Sequence, residues 1–369
     1  MMMNVPSSCK CYVFEKEGAE LTRSERKVPQ IKDHEVLIKV NACQMGSCDE
    51  ISRWDLLGMN KWPSPFGVNV TGRIVKCGKD VSSRSMMMGG NKLREGMMVC
   101  AIPMYGGMSE YCVADAMFAC ELSNDMQKMP LEACVGCYSA TRIHCAVKLF
   151  EKMHSAMSKE EHMMCDELCA RSGFKKGESC IAVYGEGGYA KLACDLLKSM
   201  QKSGEMGETM RKHRILLVCP STRWRPEQYN MREEDVLYYG ACDIRQELIK
   251  RGGVRWCCAT DMPREGIQEL LDGMRYNSQL CILSPGKQGK MELPVGDIIA
   301  RNISVTGAPV PVGREIERCL ELCRKHDVQV QVDRVDFQDE NAVREAWRRM
   351  EQRDCFQCPV VEVCRMDQM

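Results

Sequence analysis

The chain lacks any apolar run near the roughly 18 residues that a membrane-spanning helix needs. Its first residues, MMMNVPSSCKCYVFEKEG, lack a basic segment leading into an apolar core and a small-residue cleavage site. Net charge is also missing: 51 basic and 51 acidic residues balance over 369 positions, with no block of one sign. A grip on nucleic acid or on an anionic membrane would need clustered cations, so both are excluded as expected partners. What remains is the expectation of a cytoplasmic protein with a small-molecule substrate. No internal repeat is found.

Cysteine, by contrast, is plentiful. The 25 cysteines are odd in number and scattered, and with no secretion signal they read as reduced thiols and not as a disulfide framework. Methionine is equally inflated at 29. Both are soft, adaptable core fillers, so a single cysteine reads first as a buried thiol.

A length of 369 residues exceeds what one hydrophobic core usually serves, and two domains are expected. Before about residue 130 short strands alternate with turns: CYVFEKEG, EVLIKVNAC, VTGRIVKCG, MMVCAI and SEYCVAD. From ESCIAVYG onward, apolar strands (CIAVYG, RILLVCP, VRWCCAT, QLCILSP, ISVTGAPV) alternate with amphipathic helices, the pattern of βαβ units on a parallel sheet. The expected bounds are a β-rich domain over 1–150, completed by 331–369, and a parallel-sheet domain over 151–330. Residues 151–170 read as an inserted helical segment, KSGEMGETMRKH as a lengthened connection, and SMMMGGNK at 85–92 as a surface loop.

The stretch CIAVYGEGGYAKLACDLL sets an apolar strand before Gly185, Gly187 and Gly188 and an amphipathic helix after them. In that context the glycines allow a tight turn, close approach of a pyrophosphate, and delivery of its charge to the positive end of the helix. An ordinary strand-to-helix turn is the plain alternative. Ala190 stands where the usual third glycine would be. The next strand, RILLVC, should end beside the adenosine ribose, where a carboxylate would favour NAD. This chain has Cys219, then Pro220, Ser221, Thr222, Arg223 and Arg225. Hydroxyls and guanidiniums suit a 2′-phosphate, so NADP(H) is the expected cofactor; a solvated loop is again the plain alternative.

In order, IKDHEVLIKVNACQM, PFGVNVTGRIVKCGKDV, LREGMMVCAIPMYGGMSEYCVAD, VGCYSATRIHCAVK and NISVTGAPVPVGREIERCLELC resemble the medium-chain dehydrogenase/reductase superfamily over nearly the whole chain. The superfamily includes zinc alcohol dehydrogenases and zeta-crystallin-type quinone oxidoreductases. The resemblance implies an α/β chain: a GroES-like β-rich domain plus a Rossmann doubly wound parallel-sheet domain, with nicotinamide and substrate meeting between them. It also implies that the positions of the catalytic zinc ligands are held by Gly46, Ser47, Val68 and Asn69, leaving only Cys137, while a zinc site needs three protein ligands. The four-cysteine structural lobe is absent as well, so no metal is expected.

On the same resemblance, the loop NACQMGSCDEISR is a metal-free substrate loop in which Ser47, Cys48 and Asp49 are the polar groups near substrate. Cys48, Tyr105 and Tyr138 are candidate proton donors. Thr141, Ser284, Pro285, Gly286, Gly307 and Ala308 are implied to line the nicotinamide, and a homodimer is implied through the edge near NISVTGAPV. The activity implied is zinc-independent, NADPH-dependent reduction of an enone, alkenal or quinone. The alternative is a catalytically silent relative that keeps the fold, with or without the nucleotide. Two further patterns stay open: the pairs CVGC (134–137) and CFQC (355–358) as thiolate ligands, and His154, His162, Cys165 and Cys169 as a ligand face on the inserted helix, against plain core or surface roles.

Overall fold

The segment EVLIKVNACQ is buried at every position except Lys39, as a strand must be when it has neighbours in its sheet and layers on both faces. The computed structural model describes residues 5–56, 58, 61–87, 92–103, 106–128, 131, 139–176, 178–260, 266–284, 291–328 and 330–365. Two compact units divide the chain: Met1–Thr141, Val310–Arg324 and Val330–Met369 form the first, Arg142–Pro309 and Lys325–Gln329 the second.

The first unit begins with β1 (Ser8–Phe14), β2 (Leu21–Lys27), β3 (Glu35–Gln44), β4 (Ser64–Pro65), β5 (Asn69–Cys77), β6 (Met98–Ala101), β7 (Tyr111–Asp115) and β8 (Ala119–Glu121). The second carries β9 (Cys180–Tyr184), β10 (Arg214–Cys219), β11 (Val236–Tyr238), β12 (Val254–Ala259), β13 (Met274–Ile282) and β14 (Ser304–Gly307). The chain then returns to the first unit with β15 (Val332–Asp336) and β16 (Cys358–Glu362).

In the first unit a sheet of order β15-β16-β3-β5-β6-β8, with β7 also paired to β3, accompanies a smaller sheet of order β2-β1-β4. Phe14, Phe66 and Trp347 pack ring against ring at 5.3–5.4 Å in the core. The helix Gly313–Lys325 belongs here because Ile316 and Leu320 are buried with Met98, Cys100, Cys120 and Leu122. This packing sets bounds that differ from the expected 1–150, 331–369 and 151–330.

The second unit is a parallel sheet of order β11-β10-β9-β12-β13-β14. Strand order reverses at β9, so the crevice outside the carboxyl ends of β9 and β12 is the topological switch point where such sheets take ligands. Strand β11, three residues long, is too short for periodicity to announce. The segment 151–170 is no simple exposed helix. It holds the end of Thr141–Ser155 and, after a capping box of Ser158 and Glu161, most of Lys159–Arg171. The latter buries Cys165 and Cys169, and its Asp166 reaches Arg275 at 2.5 Å and Arg255 at 3.3 Å. The expected loop 85–92 begins as the end of the helix Val81–Met87; 88–91 lie outside the described residues. Among the described residues no helix is long and apolar enough to cross a membrane.

Candidate functional site

Strand β9 is wholly buried between β10 and β12 and delivers the chain to Gly185, with φ 147°, and Gly187, with φ 70°. These backbone conformations favour glycine. The helix Gly187–Ser203 follows, with Gly188 in its first turn and Ala190 fully buried. Its N-cap residue, Glu186, makes no side-chain cap, so the positive end of a 17-residue helix is uncapped by its own side chain. That donor set fits a dinucleotide pyrophosphate.

Beneath the loop lies Tyr229, which is fully buried. Its hydroxyl accepts from the Gly187 N–H at 3.1 Å, and the Cys219 thiol donates to it at 3.7 Å and to the Gly185 carbonyl at 3.5 Å. Burial pushes the Tyr229 phenol far above its ordinary range, so it remains protonated. Cys219 is therefore turned inward, not toward a ribose. Beyond it the Ser221 hydroxyl donates to the Glu186 carboxylate, and the Arg223 N–H donates to Ser221 Oγ at 3.4 Å. Thr222, Arg223 and Arg225 are exposed.

At the ends of β13 and β14 the guanidinium of Arg142 donates to the carbonyls of Leu283 (2.6 Å) and Ala308 (3.5 Å). Ser284 is buried, and its hydroxyl has no hydrogen-bond partner among the described residues. Beside Gly307 a Cβ would meet nothing within 4 Å. Pro285 and Gly286 lie outside the described residues. Thr141 is buried in the first unit and opens the helix Thr141–Ser155.

In the first unit the loop NACQMGSCDEISR leaves β3 as a short turn, Ser47–Asp49. Asp49 is fully buried, with one carboxylate oxygen accepting from Gly46 N–H at 2.9 Å and the other from Gly67 N–H at 2.7 Å. Burial outweighs those two hydrogen bonds and pushes its carboxyl up to about 7. Asp49 thus ties the loop to the Phe66–Val68 turn, whereas the sequence suggested a group facing substrate. Gly67 is obligatory there: φ is 100°, and a Cβ would stand 2.5 Å from Cys43 Sγ and 2.6 Å from Met108 N. Cys48 is half-buried. Tyr105, Tyr138, Cys137 and the side chain of Ser47 lie outside the described residues.

Where β3 ends and β5 begins, Gln44 pairs with Asn69. The Asn69 amide donates to Gln44 Oε1 at 2.5 Å, and the Gln44 amide donates to Ser139 Oγ at 3.2 Å. Gly46 and Val68 adjoin this chain in sequence and offer no ligating side chain. Gln44 and Asn69 are both buried, so the result is an uncharged hydrogen-bonded tie that ends at the half-buried Ser139. Of the cysteine pairs, Cys134 and Cys137 lie outside the described residues, Cys355 is half-buried and Cys358 is buried in β16. His154 sits on a different helix from His162, and among the described residues no three His, Cys, Asp or Glu side chains gather as a metal would require.

Sequence reasoning missed Glu186, Tyr229, Arg142, Gln44 and Ser139. Glu186 had a visible signal, since it lies between the glycines; Tyr229 had none, because only the fold brings it beneath them.

No family model matches the chain. Alcohol dehydrogenase patD of Penicillium expansum is 22% identical over 340 residues, covering 90% of this chain and 92% of that protein. Quinone oxidoreductase of Pseudomonas syringae pv. tomato DC3000 superposes with a TM-score of 0.70 at 13% identity, covering 96% of this chain and 100% of the other. CAD from Helicobacter pylori, solved with NADP(H), superposes with a TM-score of 0.66 at 14% identity, covering 96% and 98%. The strand orders, the glycine loop and these similarities agree: the chain has the two-domain fold of the medium-chain dehydrogenase/reductase superfamily.

Proposed function

We propose that the chain is an oxidoreductase that uses NADP(H) to reduce an enone, alkenal or quinone without a catalytic zinc ion. The observation that carries the reading is the glycine loop at the switch point of the second unit, where Gly185 and Gly187 lead into a helix that its N-cap side chain leaves uncapped. A bound nicotinamide supplies the hydride. The helix Gly187–Ser203 holds the pyrophosphate, and Ser221, Thr222 and the exposed Arg223 face the adenosine end.

Support for zinc independence comes from Gly46, Val68 and Asn69 at the positions where the family carries ligands. Substrates whose carbonyl delocalises the incoming charge need less electrophilic help than an alcohol does. The Asn69–Gln44–Ser139 chain meets that lesser need, since its donors run toward the Ser139 hydroxyl, which can donate to a carbonyl oxygen. Cys48, Tyr105 and Tyr138 are the other proton-donor candidates. The names of the relatives, an alcohol dehydrogenase and a quinone oxidoreductase, and the NADP(H) complex of a third protein are in keeping with this activity. A cytoplasmic homodimer paired along β14 completes the proposal.

The test is NADPH oxidation with a panel of enones, alkenals and quinones, run beside nucleotide titration and zinc analysis of the purified protein. Turnover with well under one zinc per chain is expected. Nucleotide binding without turnover would favour the silent relative, and activity lost on chelation and restored by zinc would overturn the metal-free mechanism.

A further inference from the structure

We propose that Glu186 reads the adenosine ribose from inside the glycine loop and opposes binding of the 2′-phosphate, making it a specificity-determining residue of the nucleotide site. This rests on the dinucleotide reading above and concerns which nucleotide the same pocket favours.

In sheets of this strand order the ribose carboxylate comes from the end of the second strand. Here that strand is β10, and Cys219 at its end is fully buried with its thiol spent on the Gly185 carbonyl and the Tyr229 hydroxyl. The following loop, Pro220 to Arg225, contains no acid. A carboxylate nonetheless stands beside it, delivered from the neighbouring strand. Strands β9 and β10 are parallel, with Tyr184 opposite Val218, and Gly185 N–H extends the ladder to the Val218 carbonyl at 3.1 Å. The residues that leave the two strands therefore run side by side, and Glu186 meets the Ser221 hydroxyl, which donates to it.

The ordinary duty of an acid before a helix is to cap it, and Glu186 does not: its backbone is extended and its side chain makes no cap bond. It is held instead against the loop after β10, whose Arg223 N–H fixes Ser221 in turn. A carboxylate there accepts from a ribose 2′-hydroxyl as one at the end of β10 would. A 2′-phosphate brings about −1.5 to −2 charges against it, and like charges at close range repel. The exposed Arg223 acts in the opposite sense, so the NADPH preference is the difference of two opposed side chains.

Dissociation constants for NADPH and NADH, measured by fluorescence titration of the full chain, test this with Glu186→Gln and Arg223→Ala. Glu186→Gln should raise the NADPH-to-NADH affinity ratio about tenfold, since it removes one like-charge repulsion near the surface. Arg223→Ala should lower the ratio. Should Glu186→Gln lose its native circular dichroism, Glu186→Ala is measured in its place with the same expectation. A ratio that rises less than about threefold in a folded Glu186 variant overturns the inference while leaving the dinucleotide reading intact. If neither nucleotide binds the unmodified protein, the underlying reading falls and this one with it. A shift with Glu186→Gln but none with Arg223→Ala overturns only the role of the arginine.

Discussion

The Tyr229 hydroxyl accepts the Gly187 amide proton at 3.1 Å in a pocket closed to solvent, so the backbone of the glycine loop is held from beneath by a side chain 42 positions away. Removing that oxygen leaves a buried N–H unpaired and takes a partner from the Cys219 thiol. Tyr229→Phe should therefore lower stability by about 1–3 kcal/mol and weaken nucleotide binding. Urea denaturation and nucleotide titration check it; an unchanged midpoint would show that the tie contributes nothing.

Cofactor choice at Arg223 gives a second expectation. A charge-assisted contact is worth about 1.5–3 kcal/mol, so Arg223→Ala should cost NADPH about tenfold to a hundredfold while leaving NADH nearly unchanged. Adding an acid through Cys219→Asp looks, from the sequence, like a route to NADH preference. The structure argues otherwise: the side chain at 219 faces the Gly185 carbonyl and is fully buried, so a carboxylate there would be desolvated and would destabilise the fold. A lower melting temperature without a gain for NADH is the expected result.

Asp49 gives a pH dependence with a definite sign. Burial pushes its folded carboxyl up to about 7, above the ordinary 3.8. The folded state thus binds the proton more tightly, and the contribution is complete below the unfolded value and lost as pH rises through the folded one. In difference curves of stability against pH, the unmodified protein should lose ground to Asp49→Asn between about pH 4 and 7. Asn cannot accept both backbone hydrogen bonds, so the variant should be less stable at acid pH, where the gap is widest. A pH-independent gap would mean that Asp49 is unperturbed.

His154 and His213 act in the opposite direction. Burial, aided by Arg255, pushes both down to about 4, below the ordinary 6.5. Arg255 donates to the Nε2 of His154 at 3.2 Å, so that ring is neutral in the folded protein. The stability they contribute is present above 6.5 and lost as pH falls toward 4. His154→Gln keeps an acceptor for Arg255 and should shallow the acid loss. Equal acid slopes for variant and parent would remove His154 from the account.

The proposed dimer along β14 predicts a surface effect. On the helix Val295–Arg301, which contacts β13, the neighbour of the edge strand β14, Val295 and Ile299 are 63% and 74% exposed and lie one turn apart. Ile299→Glu should shift the protein toward monomer in sedimentation velocity. An unmodified protein that is already monomeric at micromolar concentration would discard the pairing.

Much of this molecule was legible in its residues. The change from short alternating strands to βαβ spacing announced the two kinds of sheet, because side-chain period follows backbone geometry directly. The glycines at 185 and 187 announced the switch-point loop, because few other residues accept such backbone angles. Tertiary structure alone decided the rest. It turned Cys219 away from the crevice, set Tyr229 under Gly187, brought Ser221 to Glu186 and gathered Asn69, Gln44 and Ser139 into one chain. Each of these is a contact between segments that sequence separates and sheet pairing joins, and a linear pattern carries no record of which side chain faces which neighbour across a strand.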